Sequence, residues 1–321
     1  MKKLLSIMAM LWIAILTFGV KAQSTQLATL QHQEQVSVYY GPEALKQALA
    51  VADNGDVITL SAGQFDGANI NKELTIRGAG MGIMSAEGYT IPTTINGTWN
   101  INQSATLEGV RSEMTMHVAD DINVNLIKCV CSVKVETGAV FKIIQSLIGN
   151  SFWEGSQLEA VNSIFSNLKN QTNPFRANMT NCVLRYTTKD TNDPRLNYTT
   201  LINCVVSLLD DPYRATKEGT DTAIYNTLIC GKNNNVDFCS TYGNNVIRKD
   251  LTTVFKEEGY LELLDEFKTM TTTDGKEPGI HGGSLGFSQV PNNPQITKFT
   301  VAPKTSVDGK LSVEIEVEGL E

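Results

Sequence analysis

The sequence predicts an all-β solenoid, with short parallel strands stacked coil upon coil, a helix closing one end and a β-hairpin following the other. Three observations carry this. Asn181-Cys182-Val183-Leu184, Asn203-Cys204-Val205-Val206, Asn226-Thr227-Leu228-Ile229 and Asn244-Asn245-Val246-Ile247 repeat one pattern: an Asn, a small or polar residue, then two aliphatics. They recur about every 18 to 23 residues, a period of stacked coils and not of one compact core. An amphipathic helical stretch precedes the repeats, and an alternating segment follows them.

Met1-Lys2-Lys3, the apolar run Leu4 to Val20 and the small-x-small site Val20-Lys21-Ala22 predict a signal peptide over residues 1–22. The rival expectation is an uncleaved anchor. No later apolar run is long enough to span a bilayer, so the mature chain is expected to be an exported bacterial protein in the periplasm, at the cell surface or outside the cell. Gln23 to Val38 is polar and poorly patterned, and residues 23–40 are expected to be a lead-in segment. Gly41 to Val51 then predicts the helix, with Ala44, Leu45, Ala48, Leu49 and Val51 available for an apolar face and Asn54-Gly55-Asp56 as its stop. Strands follow at Val57 to Leu60, Ala68 to Ile70 and Leu74 to Gly78, divided by Gly and Asn turns. An open solenoid exposes an apolar end, and the helix is the expected cap.

The marker can be traced backwards through Asn162-Ser163-Ile164-Phe165, Gln145-Ser146-Leu147-Ile148 and Lys128-Cys129-Val130-Cys131. Glu108-Gly109-Val110-Arg111 and Arg77-Gly78-Ala79-Gly80 are weaker copies. Parallel strands lie about 4.8 Å apart, so equivalent residues of successive coils become neighbours. The small second residue and the apolar fourth are expected to point inward. Asn tolerates left-handed backbone angles, and its amide can bond to its counterparts above and below. Asn162, Asn181, Asn203 and Asn226 are therefore expected to form a structural ladder, not a catalytic set.

Toward the C-terminus the marker fades. Leu251 to Met270 has helical spacing, with Phe255, Leu261, Leu263, Leu264 and Phe267 as expected core. Pro291-Asn292-Asn293-Pro294 is a linker. Ile296 to Val301 and Leu311 to Val317 alternate on either side of a Val307 to Lys310 turn, which predicts a hairpin within residues 291–321. Because an isolated hairpin is marginal, it should dock on the solenoid or on a protein partner.

The net charge of -8 and a pI near 5.1 leave no basic stripe for nucleic acid. Of the six cysteines, Cys230 and Cys239 are the expected disulfide, closing a short loop. Cys182 and Cys204 hold one position in successive repeats and are expected to be stacked thiols, with a bond between them as the alternative. No Cys or His spacing suits a metal cluster, and no cofactor is expected.

The helix, the run Asn54 to Phe65 and Leu74-Thr75-Ile76-Arg77-Gly78-Ala79-Gly80 resemble the opening of the pectate-lyase-like right-handed parallel β-helix superfamily. The Asn-Cys-Val marker resembles its asparagine ladder, and Asp274 to Phe287 resembles its closing coil. The similarity covers about Gly41 to Phe287, and residues 41–290 are expected to form the solenoid with its cap helix. The resemblance implies a right-handed single-stranded parallel β-helix, which with the elements read above gives an expected solenoid with an N-terminal capping helix and a C-terminal β-hairpin. It implies no single activity, because the superfamily holds lyases, hydrolases, esterases, adhesins and non-catalytic surface proteins.

A lyase needs carboxylates that hold calcium against an acidic sugar, together with a basic residue to remove a proton. A hydrolase needs paired carboxylates. The candidates lie in two long insertions, Tyr186 to Asn197 and Leu208 to Thr222, each following the apolar end of a marker. Asp190, Asp193, Asp210, Asp211 and Arg214 are the catalytic candidates. Tyr186, Lys189, Arg195, Tyr213 and Lys217 are the ligand-binding ones, since aromatic faces with a polar rim suit sugars. Ordinary solvated loops would look the same. Trp99 and Trp153 fit either sugar platforms or core cover. His32 and His117 lack an evident acid partner, and Asp120-Asp121 and His281 suit turns. No carboxylate set recurs at coil spacing with a basic partner. The favoured function is thus non-catalytic binding of a glycan or surface component. A divergent polysaccharide lyase or hydrolase (with calcium only for the lyase) and a structural or adhesin-like subunit stand as alternatives.

Overall fold

In the computed structural model, residues 26–82, 84–85, 88–89, 91–170, 176–185, 198–207, 223–230, 240–243, 245–248, 254–256, 262–269, 277–289, 295–301 and 313–318 are described. The chain winds as a parallel β-solenoid of about seven turns. Each full turn places one strand in each of two long sheets. The first face runs in parallel succession from Val57–Leu60 and Leu74–Arg77 through Asn123–Ile127 and Gln157–Val161 to Ser240–Tyr242. The second runs from Asn69–Ile70 and Trp99–Ile101 through Val130–Val135 and Leu147–Trp153 to Val246–Arg248. Alternation puts every second residue inside. Ile76, Leu107, Leu126 and Ile143 are paired in register and fully buried. Trp99 and Trp153 are fully buried as well, which removes them as sugar platforms. Trp153 packs edge-on against Phe141 at 5.0 Å.

The repeated marker is the corner between the two faces. Gly109, Lys128, Gln145, Asn162, Asn181, Asn203 and Asn226 all have φ between 46° and 63°. The row thus extends the expected asparagine ladder with other residues that occupy the same backbone well. It also shifts the weaker copies by one residue, since Gly109, and not Glu108, matches Lys128. Gly109 reaches this conformation without a side chain, so no Asn marks the early corner.

Turning here denies the next residue's N–H a carbonyl partner. The second marker residue of the following coil supplies one instead. Cys129 N–H donates to Ser146 Oγ (3.0 Å), and Ser146 N–H donates to Ser163 Oγ (3.1 Å). The Ser163 backbone bonds to the Cys182 thiol. Cys182 N–H then meets Cys204 Sγ (3.4 Å), Cys204 N–H meets Thr227 Oγ1 (3.3 Å), and Thr227 N–H meets Asn245 Oδ1 (2.8 Å). Each hydroxyl or thiol also donates to a carbonyl two residues back, as Ser146 does to Ile144 and Thr227 to Tyr225. From Cys129 to Thr227 the position is therefore held by small side chains that both donate and accept, and smallness alone does not describe it. Cys182 and Cys204 belong to this ladder. Burial pushes the Cys182 thiol well above its ordinary pKa and the Cys129 thiol up to about 12.

The third marker residue points outward, and the C-terminal segment covers it. Ile164, Val183, Val205 and Leu228 form a second apolar cluster with Val254, Phe255, Leu263, Phe267 and Ile280. Residues expected to be helical instead make a Phe255–Leu263 bridge and a short 3-10 turn at Asp265–Phe267, while the expected core residues Phe255, Leu263 and Phe267 are buried. The expected closing coil is a strap laid lengthwise along the corner. Asn203 donates to Glu277 O, Asn162 to Ile280 O and Gly282 O, and Gln145 to Leu285 O and Gly286 O. Among these amides, Asn203 also donates to Asn181 Oδ1 (2.6 Å), the coil-to-coil contact expected of a ladder. A Cβ at Gly283 would overlap the Asn181 amide, so the strap's glycine is a matter of close approach.

The expected lead-in is also ordered. Leu27–His32 and Gln35–Tyr40 form an antiparallel hairpin, with Gln33 left-handed at its turn, and Leu27–His32 pairs antiparallel with Val57–Leu60. Polar residues hid this signal: only Ala28 and Leu30 of the first strand are buried. The helix spans Ala44–Val51 and buries Ala44, Leu45 and Ala48. His32 Nδ1 lies 2.8 Å from Asp56 Oδ1, an acid partner that sequence spacing did not reveal. Asp56 also accepts from Asp53 N–H, tying the helix exit to the hairpin. At the far end, Gln295–Val301 and Val313–Glu318 pair antiparallel as expected.

Two stability outcomes follow from the corner. Ser163→Ala leaves the Ser146 N–H unpaired in the interior and should cost about 1–3 kcal/mol. Ser163→Cys keeps a donor-acceptor and should cost less in the same thermal melts. Asn162→Ala loses the strap bonds and adds left-handed strain, for about 2–4 kcal/mol in all. Asn162→Gly loses the bonds alone and should melt higher than Asn162→Ala.

Candidate functional site

The described strands fix where the long insertions leave and rejoin the solenoid. Val183–Leu184 and Val205–Ser207 are paired neighbours on the second face, and residues 186–197 and 208–222 follow them. The chain returns at Thr199–Ile202 and Ala223–Tyr225, neighbours on the first face. The two insertions therefore start and end at one corner of adjacent coils, opposite in each coil to the strapped corner. In the coils on either side, the described chain leaves the second face at Ile164–Asn170 and Leu228–Cys230 and rejoins the first face at Arg176–Thr180 and Ser240–Tyr242. Asp190, Asp193, Asp210, Asp211 and Arg214 lie outside the described residues, as do Tyr186, Lys189, Arg195, Tyr213 and Lys217. Cys239, half of the expected disulfide, also lies outside them, while Cys230 is buried.

At the returning edge the structure adds a feature the sequence did not suggest. The Arg176 guanidinium sits over the Tyr198 ring, 5.3 Å from its centroid. Both residues rejoin the first face: Arg176 opens the strand Arg176–Thr180, and Tyr198, left-handed at φ 53°, immediately precedes Thr199–Ile202. Ala177 N–H donates to Tyr198 O across the coils, which fixes the ring beside the guanidinium. Arg176 is exposed and Tyr198 is half-buried. Arg176 and Tyr198 are 22 residues apart in sequence. Only the coil length makes them neighbours, and that length was uncertain without the ends of the insertions.

Outward rows on the second face are polar and linked between coils. Asn100 donates to Asn69, Asn102 to Asn71, and Asn167 to Asn150. His117 and Lys134 follow Asn100 in register, with His117 exposed and Lys134 paired to Glu136 at 3.0 Å. The surface is thus a regular lattice of amides, with isolated charges locally compensated. Asp121 is left-handed at a turn between coils, and His281 is exposed on the strap, both as expected of turn residues.

One charged side chain enters the corner row. Lys128 is buried, close to Glu108, whose carboxylate is 3.5 Å from Arg77 Nε. Burial lowers the Lys128 pKa from its ordinary 10.5, and the Glu108 charge opposes that shift. Among the described residues no group of three or more His, Cys, Asp or Glu is placed to hold a metal ion, and no helix is long and apolar enough to cross a membrane.

No protein-family model matches the chain, and no curated protein matches it. The solenoid class is therefore established by the strand pairing itself.

Lys128 gives a pH signature. Between its lowered folded pKa and 10.5, the unfolded chain holds a proton that the folded chain has released, so stability rises with pH across that window. Lys128→Asn, which restores the residue of the later corners, should flatten this alkaline rise in urea unfolding measured at a series of pH values. Equal slopes for both proteins would contradict the assignment.

Proposed function

We infer that this is an exported, non-catalytic β-helix protein that binds a glycan or another surface component at the corner from which the insertions emerge. The observation that carries the inference is the Arg176–Tyr198 stack. An aromatic ring can cover the apolar face of a sugar, while a guanidinium fork held against that ring matches a carboxylate or sulfate. The favoured ligand class is accordingly an acidic glycan. Tyr186, Lys189, Arg195, Tyr213 and Lys217 in the neighbouring insertions carry complementary side-chain chemistry. The rigid solenoid supports the inference further, since it holds both residues at a fixed inter-coil spacing.

The expected leader over residues 1–22 supports export, and the resemblance to the pectate-lyase-like superfamily supports a right-handed winding. Within that superfamily an acidic-polysaccharide lyase is the competing proposal, with Asp190, Asp193, Asp210 and Asp211 as carboxylates and Arg214 as base.

Titration calorimetry with a panel of acidic polysaccharides tests the choice. Binding without turnover is expected, and Tyr198→Ala or Arg176→Ala should each weaken it by about 2- to 5-fold, the worth of about 0.5–1 kcal/mol for an exposed cation-π contact. Unchanged affinity in both variants would remove this corner as the site. Calcium-dependent release of products bearing a new conjugated double bond would replace binding with elimination chemistry.

A further inference from the structure

We propose that the outer hairpin strand Gln35–Tyr40 is a self-association edge, pairing antiparallel with the same strand of a second copy about a two-fold axis. It is the first strand of the first-face sheet, and among the described residues only Leu27–His32 pairs with it.

The hydrogen-bond parity of the hairpin shows which groups are available. Gly41 N–H donates to Gln26 O, so Gln26 and Gly41 face each other as a bonded pair. Stepping by two along the register makes Ala28–Tyr39, Leu30–Ser37 and His32–Gln35 bonded pairs as well. The backbone N–H and C=O of Val36, Val38 and Tyr40 consequently point away from the hairpin, along the open edge.

The side chains of the same three residues lie on one face of the strand. Val36 is 62% exposed, Val38 43% and Tyr40 61%. The opposite face carries Tyr39, which packs against the core beside buried Ala28 and Leu30. Isolated edge strands in monomers are usually blunted by charge, proline, a bulge or a covering element. Gln35–Tyr40 contains no charged residue and no proline, and its register with Leu27–His32 runs without a bulge.

A second copy fits this edge better than an unrelated strand because the strand is complementary to itself. With Val38 on the two-fold axis, Val38 faces Val38, and Val36 faces Tyr40 in both directions. All three positions then exchange backbone bonds through the groups left free by the hairpin. Each Val36–Tyr40 contact joins a β-branched residue to an aromatic one, a favourable cross-strand pair. No like charges meet across the axis. The contact is isologous and closes at two copies, so it yields a dimer whose first-face sheet continues from one protomer into its partner. One strand per side is a small contact, and the dimer is expected to be weak, with a dissociation constant on the order of micromolar to tens of micromolar.

Sedimentation velocity on the full exported chain, from about 1 to 200 µM, a range spanning the constants expected of a small interface, provides the test. The wild-type protein should shift from monomer to dimer. Val38→Lys sets like charges against each other on the axis and should remain monomeric throughout, with an unchanged circular dichroism spectrum. The double substitution Val36→Lys/Tyr40→Glu checks the register and guards against misfolding of the first variant. It places opposite charges across the axis twice and should preserve a dimer that now weakens with salt. A wild-type protein that stays monomeric across the range overturns the proposal. So does a dimer that persists in Val38→Lys, or one lost only when the C-terminal hairpin is deleted.

Discussion

The structure depends on one unmet backbone donor per coil. A chain turning through a left-handed residue points the next N–H away from the strand ladder, and in a narrow interior no water replaces the lost partner. The protein answers with the side chain one coil further on. Ser146, Ser163, Cys182, Cys204, Thr227 and Asn245 each close the gap for the coil before. Each of these coils is thereby completed by its successor. This links stability along the solenoid axis as directly as strand pairing does, and it fixes the coil-to-coil register at the corner.

Two surfaces inherit that register. On the strapped side, in-register Ile164, Val183, Val205 and Leu228 make an outward apolar stripe, which Val254 to Ile280 cover, while the corner amides bind the strap's carbonyls. On the other side, equal stacking of the coils brings Arg176 over Tyr198 and makes the insertions start and end together. The strapped corner is therefore occupied by the chain itself. At the N-terminal end the hairpin replaces the missing coil, and its antiparallel pairing onto Val57–Leu60 ends the parallel sheet.

Much of this was legible in the sequence. The marker revealed a solenoid, and its Asn residues revealed a corner, because a left-handed backbone well selects Asn strongly enough to leave a visible period. Val57–Leu60, the helix and the C-terminal hairpin announced themselves through alternation and turn chemistry. What was hidden shares a physical cause: it depends on side chains that meet only after coiling. Ser and Cys at the second position look merely small until the N–H above them is considered. The third aliphatic looks like core, and it is, but of the cluster beneath the strap. Leu27–His32 was obscured because half of a short hairpin strand faces solvent. His32 and Asp56 pair across 24 residues, and no local pattern encodes such a contact. The insertions, where the sequence placed the chemistry, carry charge without periodicity, so the sequence located them without ordering them.

The corner ladder can be tested most directly by hydrogen exchange resolved at single amides. The N–H groups of Cys129, Ser146, Ser163, Cys182, Cys204 and Thr227 belong to no strand pair, so ordinary corner amides in their place would exchange quickly. If the next coil satisfies them, they should exchange as slowly as the paired amides of Ile143 or Leu201, opening only with the solenoid as a whole. Exchange at the rate of exposed turn amides would contradict the ladder and, with it, the account of how one coil holds the next.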